Sequence, residues 1–398
     1  MPATMLFQHD GSTTRFSNGG RAAGTYSGTY LNSERRGLPG VFIDGSGGTI
    51  ASVPSPVGRQ AKLSLDEIVD MLAPELRNYV HLVCLAPQTG EGCEEMIDST
   101  EADHQHFVRC ARVHYRQMRG RGVVGQVHLT GTDTLEQKAV RMALMLRNAN
   151  MPVVITGSQR GVDERWSDAA KNLRDAVYAA GHPDMPPGVW VIFNGRIIDP
   201  RLVAKRSSAD VDAFTSVNGA DVGEIEAPHH FRVSRTFCQD AADEAPLFMP
   251  EFELGVKTEV ITPDYQPAWL DAVLARQDVR GLVLRGYGLG NIPSRLLPSL
   301  REWAETKPIV VGTQCFDGPA NLRKYQVGEL ARRTGVLSAG NLSPAYTLSL
   351  LQWLMARIQD VEQLKSVWES TVYSALSPGM PAAIDLTIGE SALDAAIA

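Results

Sequence analysis

Residues 44–52 read Asp-Gly-Ser-Gly-Gly-Thr-Ile-Ala-Ser and follow three apolar residues, 41–43. A short apolar run that leads into paired glycines predicts a buried strand ending in a sharp turn. Gly47 and Gly48 carry no Cβ, so the backbone can turn tightly there and another group can come close. Thr49 follows at the strand's carboxyl end, where open α/β sheets bind their ligands. Glycine-rich turns also recur without any site, so this stretch alone leaves both interpretations open.

A second stretch, residues 123–134, has the same form: Val-Val-Gly-Gln-Val-His-Leu-Thr-Gly-Thr-Asp-Thr. Its strand-like residues end in glycine and threonine, and apolar residues at helical spacing follow. Thr132 and Asp133 therefore lie between a predicted strand and a predicted helix, where either could simply cap the helix. Two strand-end threonines, one of them beside a carboxylate, are better suited to a site that cleaves an amide.

Strand-like and helix-like segments alternate along most of the chain. We predict strands over 80–85, 123–129, 152–156, 189–193, 281–284 and 309–312, and helices over 63–76, 101–118, 135–148, 169–180, 270–275, 298–305 and 348–359. This alternation favours an α/β fold whose parallel sheet is covered on both faces. An acidic, proline-containing stretch over 239–263 marks a change in composition that is typical of a linker, and part of it could also pair as a strand.

We therefore expect four segments. They are a flexible amino-terminal extension over 1–38, a catalytic α/β domain over 39–240, a linker over 241–262 and a second α/β domain over 263–398. The extension is polar, and we interpret it as a mobile segment or an arm that contacts another subunit. It lacks the apolar core of a secretory signal.

The composition of the 398-residue chain is that of an ordinary globular protein, with 43% hydrophobic and 21% charged residues. The formal net charge of −7 gives no broad electrostatic reason to expect nucleic-acid binding. We predict no membrane contact, because no apolar run approaches the roughly 18 residues that a spanning helix needs. The five scattered cysteines indicate neither a disulfide framework nor a metal site. We expect reduced thiols and a cytoplasmic protein.

Several segments taken together resemble the bacterial-type L-asparaginases, which hydrolyse asparagine to aspartate and ammonia. The matching segments lie, in the family's order, at 47–51, 96–100, 131–134, 154–159, 205–214 and 284–291. The resemblance covers roughly residues 40 to 380 and is nearest to the cytoplasmic type I branch. It implies a two-domain fold with a larger, mostly parallel amino-terminal sheet and a smaller carboxyl-terminal α/β domain. It also implies a homodimer or homotetramer, a small amide substrate and no cofactor.

The resemblance assigns catalytic roles to four residues. Thr49 corresponds to the attacking threonine, and Thr132, Asp133 and Lys205 form a second cluster. A lysine beside a threonine hydroxyl can ease its deprotonation or accept a proton through water. By itself, Lys205 would more often be a surface cation, because lysine is rarely buried.

The resemblance also assigns substrate contacts. Asp98, Ser99 and Thr100 match the segment that holds the α-amino and α-carboxylate groups, with Asp133 as a second acid facing the ammonium. Asp98 also suits the start of a helix as its cap. Asn291 matches a position that reaches the site of a neighbouring subunit, although an asparagine in a turn needs no such role.

The chain departs from the family in the loop after Thr49. Family members usually carry an activating tyrosine there, whereas residues 53–65 contain none. Arg59 and Lys62 occupy the loop, and we favour the interpretation that it is a lid bringing one of them over the site. The alternative is that Tyr26 or Tyr30 of the extension supplies the phenol.

Two further sites can be weighed from the sequence. Arg285, Thr313 and Cys315 match an allosteric asparagine site of some type I enzymes, while Cys315 by itself would be a small buried thiol. Histidines are also clustered in the sequence, but no acid or cysteine has matching metal-ligand spacing. We therefore expect no metal, and interpret these histidines as solvated or capping residues. They are residues 104, 106, 229 and 230.

Three functions compete. The first is an amidohydrolase that uses Thr49 as nucleophile on asparagine. The second is suggested by residues 157–160 and 167–173, which also resemble the D subunit of the archaeal glutamyl-tRNA amidotransferase; that protein frees ammonia from glutamine for a partner. The third is a degenerate, non-catalytic homologue, which the missing tyrosine favours and the retained threonines, aspartate and lysine oppose.

Overall fold

The computed structural model describes residues 15–17, 27–30, 40–78, 80–85, 97–120, 122–227, 230–233 and 245–373. The strands are β1 (Arg15–Ser17), β2 (Ser27–Tyr30), β3 (Gly40–Gly45), β4 (Ser52–Ser55), β5 (Gly58–Ala61), β6 (His81–Leu85), β7 (Gly125–Leu129), β8 (Leu146–Arg147), β9 (Pro152–Thr156), β10 (Gly188–Phe193), β11 (Arg196–Ile198), β12 (Val203–Lys205), β13 (Phe214–Ser216), β14 (Gly223–Ala227), β15 (His230–Val233), β16 (Leu247–Phe248), β17 (Val256–Val260), β18 (Gly281–Gly286), β19 (Ile309–Thr313) and β20 (Leu337–Ser338). The helices are α1 (Leu65–Leu72), α2 (His104–Met118), α3 (Leu135–Met145), α4 (Ala169–Gly181), α5 (Pro267–Leu274), α6 (Leu297–Trp303), α7 (Gln326–Arg332), α8 (Pro344–Met355) and α9 (Val361–Tyr373). Across these described ranges, no helix is both long and apolar enough to cross a membrane.

The chain divides into two compact units. The amino-terminal unit runs to Pro200 and also includes Lys205–Thr215 and Asp221–Met249. The carboxyl-terminal unit contains Arg201–Ala204, Ser216–Ala220 and the chain from Pro250 onward. Strand β17 lies within the segment 241–262 that we expected to be a linker, and it forms the edge of the second unit's sheet.

The large sheet of the amino-terminal unit has the order β1-β2-β6-β3-β7-β9-β10-β11-β14-β15. The five central strands are parallel to one another, and they are β6, β3, β7, β9 and β10. The strands on either side of them pair antiparallel. The two-domain α/β prediction is confirmed, and the amino-terminal sheet is mixed, with a parallel centre. Because β3 and β7 are parallel neighbours, the residues that follow them emerge at the same edge of the sheet.

Alternate residues of β3 and β7 face different layers. Val41 and Ile43 join Val127 and Leu129 in an apolar core with α1 and α4. The intervening residues face α2 and α3, and this set includes several polar side chains: Asp44, Ser46, Gln126, His128 and Thr130. Both faces of these strands are buried. The alternation of side chains therefore separates an apolar layer from a polar layer, and does not separate the core from solvent.

Most predicted strands and helices are confirmed, and their ends have local causes. Helix α1 begins after Ser64, whose side chain forms a capping box with Glu67. It ends at Leu72, earlier than predicted, because Pro74 cannot continue the hydrogen-bond ladder. Helix α3 ends at Met145 because the next residues form β8, which pairs with β16.

Three expectations are corrected. Within the segment 1–38, β1 and β2 pair with each other, and β2 pairs with β6. These two strands are therefore part of the sheet, with β1 at its edge. Cys110, which was expected to be a reduced thiol, is disulfide-bonded, since separation in sequence does not limit which thiols meet in the fold. His106, which was expected to be solvated or capping, is only 2% exposed because its face of α2 packs inward.

The carboxyl-terminal unit is built on a parallel sheet with the order β17-β18-β19-β20. Its apolar core is formed by residues of β18 and β19 together with α5 and α6, for example Leu282, Val311, Leu270 and Leu300. The alternation after residue 263 predicts this parallel sheet, and the smaller size of the unit is what the family resemblance implies.

Candidate active site

The turn after β3 presents Thr49 at the carboxyl edge of the sheet. Gly47 and Gly48 have φ angles of 95° and 83°, in the left-handed region that favours glycine. Thr49 begins a 3-10 turn that ends at Ala51, and its side chain is partly exposed. Ser52 fixes this turn by donating its hydroxyl to the carbonyl of Gly48 at 2.7 Å. The predicted buried strand and sharp turn are both confirmed.

The turn after β7 lies directly against this one. A Cβ on Gly48 would lie 2.1 Å from the Cα of Gly131, so only a residue without a side chain fits there. A Cβ on Gly131 would in turn lie 2.4 Å from the Cβ of Ser99. Three segments, those of Thr49, Ser99 and Thr132, therefore meet at a point where glycines permit the approach.

Lys205 completes this group. Its ammonium donates to Thr132 Oγ1 at 3.0 Å and to Asp133 Oδ1 at 2.7 Å. The backbone N–H of Lys205 donates to Glu136 Oε2 at 3.0 Å, which anchors the end of β12 to the first turn of α3. The Lys205 side chain is 19% exposed, so this lysine is held in a hydrogen-bonded cluster and is not a freely solvated cation. Glu136 was missed in the sequence, because nothing in its spacing shows that it meets Lys205.

The segment 97–100 is attached beside the first turn. The N–H of Ile97 donates to the carbonyl of Ser46 at 3.3 Å, and Thr134 Oγ1 donates to the carbonyl of Ser99 at 3.1 Å. Asp98 accepts the backbone N–H of Thr100 at 2.9 Å and its hydroxyl at 2.8 Å. These two hydrogen bonds lower the pKa of Asp98. Asp98 therefore caps the 3-10 turn Ser99–Glu101, whereas the predicted helix begins later, at His104, and is capped by Asp103. The carboxylate of Asp98 is exposed and ionised.

The segment with the missing tyrosine is a β-hairpin formed by β4 and β5. Arg59 donates to both carboxylate oxygens of Asp163, lies 3.4 Å from Glu164, and donates to the carbonyl of Ser52 at 2.7 Å. Its guanidinium therefore ties the hairpin to the segment 161–164. Lys62 follows the hairpin and is exposed. Tyr26 lies outside the described residues, and Tyr30 is described only as part of β2.

The remaining predicted site residues lie in the carboxyl-terminal unit. Asn291 exchanges backbone hydrogen bonds with Tyr287 at 3.0 and 2.7 Å. Arg285 Nε donates to the carbonyl of Thr313 at 3.1 Å, and the N–H of Cys315 donates to Thr313 Oγ1 at 2.9 Å. The three candidate allosteric residues are thus neighbours. Cys315 is an exposed free thiol, so its interpretation as a buried thiol is wrong.

Beneath the two turns lies a buried polar cluster that the sequence did not reveal. Lys138 of α3 is 1% exposed and donates to Ser46 Oγ and, at 2.8 Å, to Thr130 Oγ1. Its Nζ also lies 3.2 Å from His128 Nε2. Burial lowers the pKa of Lys138 to about 7, although the carboxylate of Asp44 opposes that shift.

The histidines of this cluster are held neutral. Burial, followed by the charge of neighbouring His128, lowers the pKa of His114 to about 4. Burial, followed by the charge of Lys138, lowers the pKa of His106 to about 4 and that of His128 well below its usual value. Burial raises the pKa of Asp44. His106, Cys110 and His114 recur every four residues on α2, which is the one signal that could have revealed a polar helix face.

The turns and the cluster differ in what they can do chemically. The partly exposed turns offer two hydroxyls, an ammonium and a carboxylate within one contiguous group, which suits nucleophilic attack with proton transfer. The buried cluster cannot meet a substrate directly. Its carboxylate and imidazoles are instead groups that ligate metal ions.

Comparison with known proteins gives consistent matches. Two family models match the chain: "Asparaginase, N-terminal" over residues 40–237, and "Glutaminase/Asparaginase C-terminal domain" over residues 256–367. An L-asparaginase of Thermococcus kodakarensis is 32% identical over 340 residues, covering 83% of this chain and 97% of that protein. A solved structure of a thermostable L-asparaginase from the same organism has a TM-score of 0.75 and 31% identity, covering 84% of this chain and 98% of that one.

Two further relatives bear on the competing functions. L-asparaginase 1 of Escherichia coli is 30% identical over 284 residues, covering 71% of this chain and 81% of that protein. The D subunit of the glutamyl-tRNA(Gln) amidotransferase of Pyrococcus abyssi is 27% identical over 351 residues, covering 86% of this chain and 78% of that protein.

Proposed function

The chain belongs to the asparaginase family of amidohydrolases, and from that premise we propose that it hydrolyses L-asparagine to L-aspartate and ammonia. The observation that carries the proposal is the hydrogen-bonded set of Thr132, Asp133 and Lys205, whose turn lies against the turn of Thr49. An amide is a poor electrophile, so its cleavage needs an activated hydroxyl and a path for the proton. This group supplies both.

In the proposed mechanism, Thr49 Oγ attacks the side-chain amide carbon of the substrate. The proton that the Thr49 hydroxyl loses passes to the amide nitrogen, the C–N bond breaks, and ammonia leaves an acyl ester on Thr49. Water then hydrolyses that ester and releases aspartate. Thr132 assists the proton transfers, while Lys205 fixes its hydroxyl and Asp133 balances the charge of the ammonium.

The lid remains part of the proposal. We assign the lid to the β4–β5 hairpin, with Arg59 holding it in place through Asp163, and Lys62 at its base. An arginine cannot act as a base at neutral pH, because its pKa exceeds about 12. Because Asp163 and Glu164 offset its charge, the proposed role of Arg59 is to position the hairpin.

The substrate's α-groups need partners of opposite charge. We propose that Asp98 and Asp133 attract the ammonium, and that Ser99 and Thr100 bind the carboxylate through hydroxyl and backbone N–H groups. Asn291 is proposed to reach the site of a neighbouring subunit in a homodimer or homotetramer. The resemblance to the type I branch supports a cytoplasmic location and an allosteric role for the neighbours Arg285, Thr313 and Cys315.

Ammonia release by the purified chain tests the proposal. Thr49→Ala and Thr132→Val are each expected to lower kcat by a factor on the order of 10³ or more, with the fold intact. Lys205→Met is expected to lose most activity between pH 6 and 9 at an unchanged melting temperature. A Thr49→Ala enzyme with nearly the turnover of the parent would exclude Thr49 as nucleophile.

Matched controls are available in the same chain. Lys171 also pairs with an aspartate, Asp175, but lies on α4, so Lys171→Met should leave kcat unchanged. Thr258 is an exposed strand threonine of the other unit, and Thr258→Val should be equally silent. Loss of activity in either control would show that the assay reports folding and not catalysis.

A second candidate function rests on the similarity to the amidotransferase relative. Release of ammonia from glutamine but not asparagine by the isolated chain would favour it. The segments that carried this resemblance have a structural role here, because Asp168 accepts the N–H groups of Gln159 and Arg160. No ammonia from either amide would favour a non-catalytic homologue.

A further inference from the structure

Three ligand atoms of the buried polar cluster face a single point. They are Asp44 Oδ2, His114 Nε2 and His128 Nδ1. The two nitrogens are 3.2 Å apart, and the oxygen lies 3.4 Å from His128 Nδ1 and 3.8 Å from His114 Nε2. In the plane of the three atoms, the point equidistant from all of them is about 2.0 Å from each. This is the length of zinc bonds to imidazole nitrogen and carboxylate oxygen.

The three ligand atoms have too few N–H donors among them for each acceptor to receive a hydrogen bond. The amide oxygen of Gln126 lies 2.8 Å from His114 Nδ1 and accepts its N–H, so His114 Nε2 carries a lone pair. A single N–H on His128 Nδ1 would have to serve both His114 Nε2 and Asp44. Asp44 Oδ2 is buried and has no hydrogen-bond partner among the residues that the structure describes. A buried carboxylate oxygen without a partner is costly, and a cation at the centre removes that cost.

The ligands come from three different elements that the fold holds in register. Asp44 of β3 and His128 of β7 are direct partners in the parallel pairing, and His114 projects from α2. All three are at most 5% exposed. The strands and helix therefore present the ligands before any ion arrives, which lowers the ordering cost of binding.

The outer contacts also suit a metal site. Metal-bound histidines usually donate their second ring N–H to a fixed acceptor, and Gln126 provides this for His114. Ser46 Oγ lies 3.2 Å from His128 Nε2 and can accept the corresponding N–H. Lys138 lies on this Nε2 side of the ring, so the imidazole stands between its ammonium and the triangle.

We propose that Asp44, His114 and His128 bind one divalent transition-metal ion of the zinc type, which joins β3, β7 and α2 beneath the two active-site turns. The ligand separations decide between geometries. A tetrahedral ion with bonds of about 2.0–2.1 Å places its ligands about 3.3–3.4 Å apart. An octahedral ion with bonds of about 2.1 Å places adjacent ligands about 3.0 Å apart. The observed separations are closer to the tetrahedral values.

The test uses the full chain without a polyhistidine tag, since a tag would itself bind zinc. The protein is stripped with a chelator, incubated with zinc chloride, passed over a desalting column and assayed for metal by mass spectrometry. We expect one zinc per chain. His114→Gln and Asp44→Asn should each weaken zinc binding at least about 100-fold. His106→Gln is the matched control, because His106 is a buried histidine of the same helix outside the triangle, and it should retain one zinc.

Two readouts protect the test against variants that fail to fold. Cobalt(II) added to the stripped parent protein should give the visible absorption of a tetrahedral site, and zinc should abolish it. Zinc should also raise the melting temperature, because a ligand that binds only the folded state stabilises it. A parent protein that holds no zinc and gives no cobalt spectrum would refute the proposal. So would equal zinc binding by the parent and a folded His114→Gln variant, which would place the ion on the surface. Neither readout depends on amidase activity.

Discussion

Gly131→Ala is the sharpest probe of the contact between the turn that carries Thr49 and the turn that carries Thr132. The new Cβ would lie 2.4 Å from Ser99 Cβ, 2.6 Å from Ser99 Oγ and 3.1 Å from the Cα of Gly48. Side-chain rotation cannot relieve the first contact, because both atoms are attached directly to backbone. Ordinary contact begins near 3.4 Å, so the segments must separate by about 1 Å.

The expected cost can be estimated from this displacement. Ser99 is not free to retreat, since its carbonyl accepts hydrogen bonds from Thr134 and from the N–H of Ala102. Overpacking of this kind costs about 1–3 kcal/mol of folding free energy. Moving reacting groups by about 1 Å costs on the order of 10² in rate. We therefore expect kcat/KM for ammonia release to fall about 100-fold while the protein remains folded.

Urea unfolding and steady-state ammonia release measure the two effects separately. Gly312→Ala is the matched control, because its Cβ would meet only Ala339 Cβ, at an ordinary 3.8 Å. Adding Ser99→Gly to Gly131→Ala removes the two closest atoms and should restore most of the lost stability. A Gly131→Ala enzyme whose kcat/KM stays within about twofold of the parent would refute the inferred contact between Gly48, Ser99 and Gly131.

Two further predictions concern the lid and the assembly. Arg59→Met should lower kcat on the order of tenfold, because it releases the hairpin. Asp163→Asn should reproduce that loss while changing the free energy of unfolding by less than about 1 kcal/mol. An unchanged kcat in Asp163→Asn would show that the ion pair does not hold the lid. Light scattering at assay concentration should show a dimer or tetramer. Asn291→Ala should reduce kcat without dissociating this oligomer. A fully active monomer would exclude a site shared between subunits.

The sequence predicted the parts of the molecule that depend on local pattern. Alternating strands and helices indicated the α/β fold, and the glycine turns placed Thr49 and Thr132 at strand ends. The partners of Arg59 could not be predicted from the sequence. Asp163 is 104 positions away, and nothing about a charged loop residue indicates which residue it pairs with. The exposure of Cys315 was equally hidden, because the tendency of free cysteines to be buried is only an average.

The buried polar layer was missed for a different reason. Gln126 and His128 alternate with Val127 and Leu129. In most sheets this pattern indicates one solvent-exposed face and one buried face. In this protein α2 covers the polar face. Periodicity reports which residues share a face, but it does not report what packs against that face. Only the spacing of four between His106, Cys110 and His114 hinted that the covering helix is polar as well.

This polar layer also explains how the register of β3 and β7 is fixed. A slip of one residue between β3 and β7 would move every side chain of one strand to the opposite face. Asp44 would then lie among the apolar side chains packed against α1 and α4, away from the imidazoles. An unpaired buried charge costs several kcal/mol, far more than an apolar residue misplaced in the same way. The register that keeps Asp44 beside His128 also brings Gly48 against Gly131, just beyond the ends of the two strands. The buried cluster therefore specifies the geometry of the two turns that carry Thr49 and Thr132.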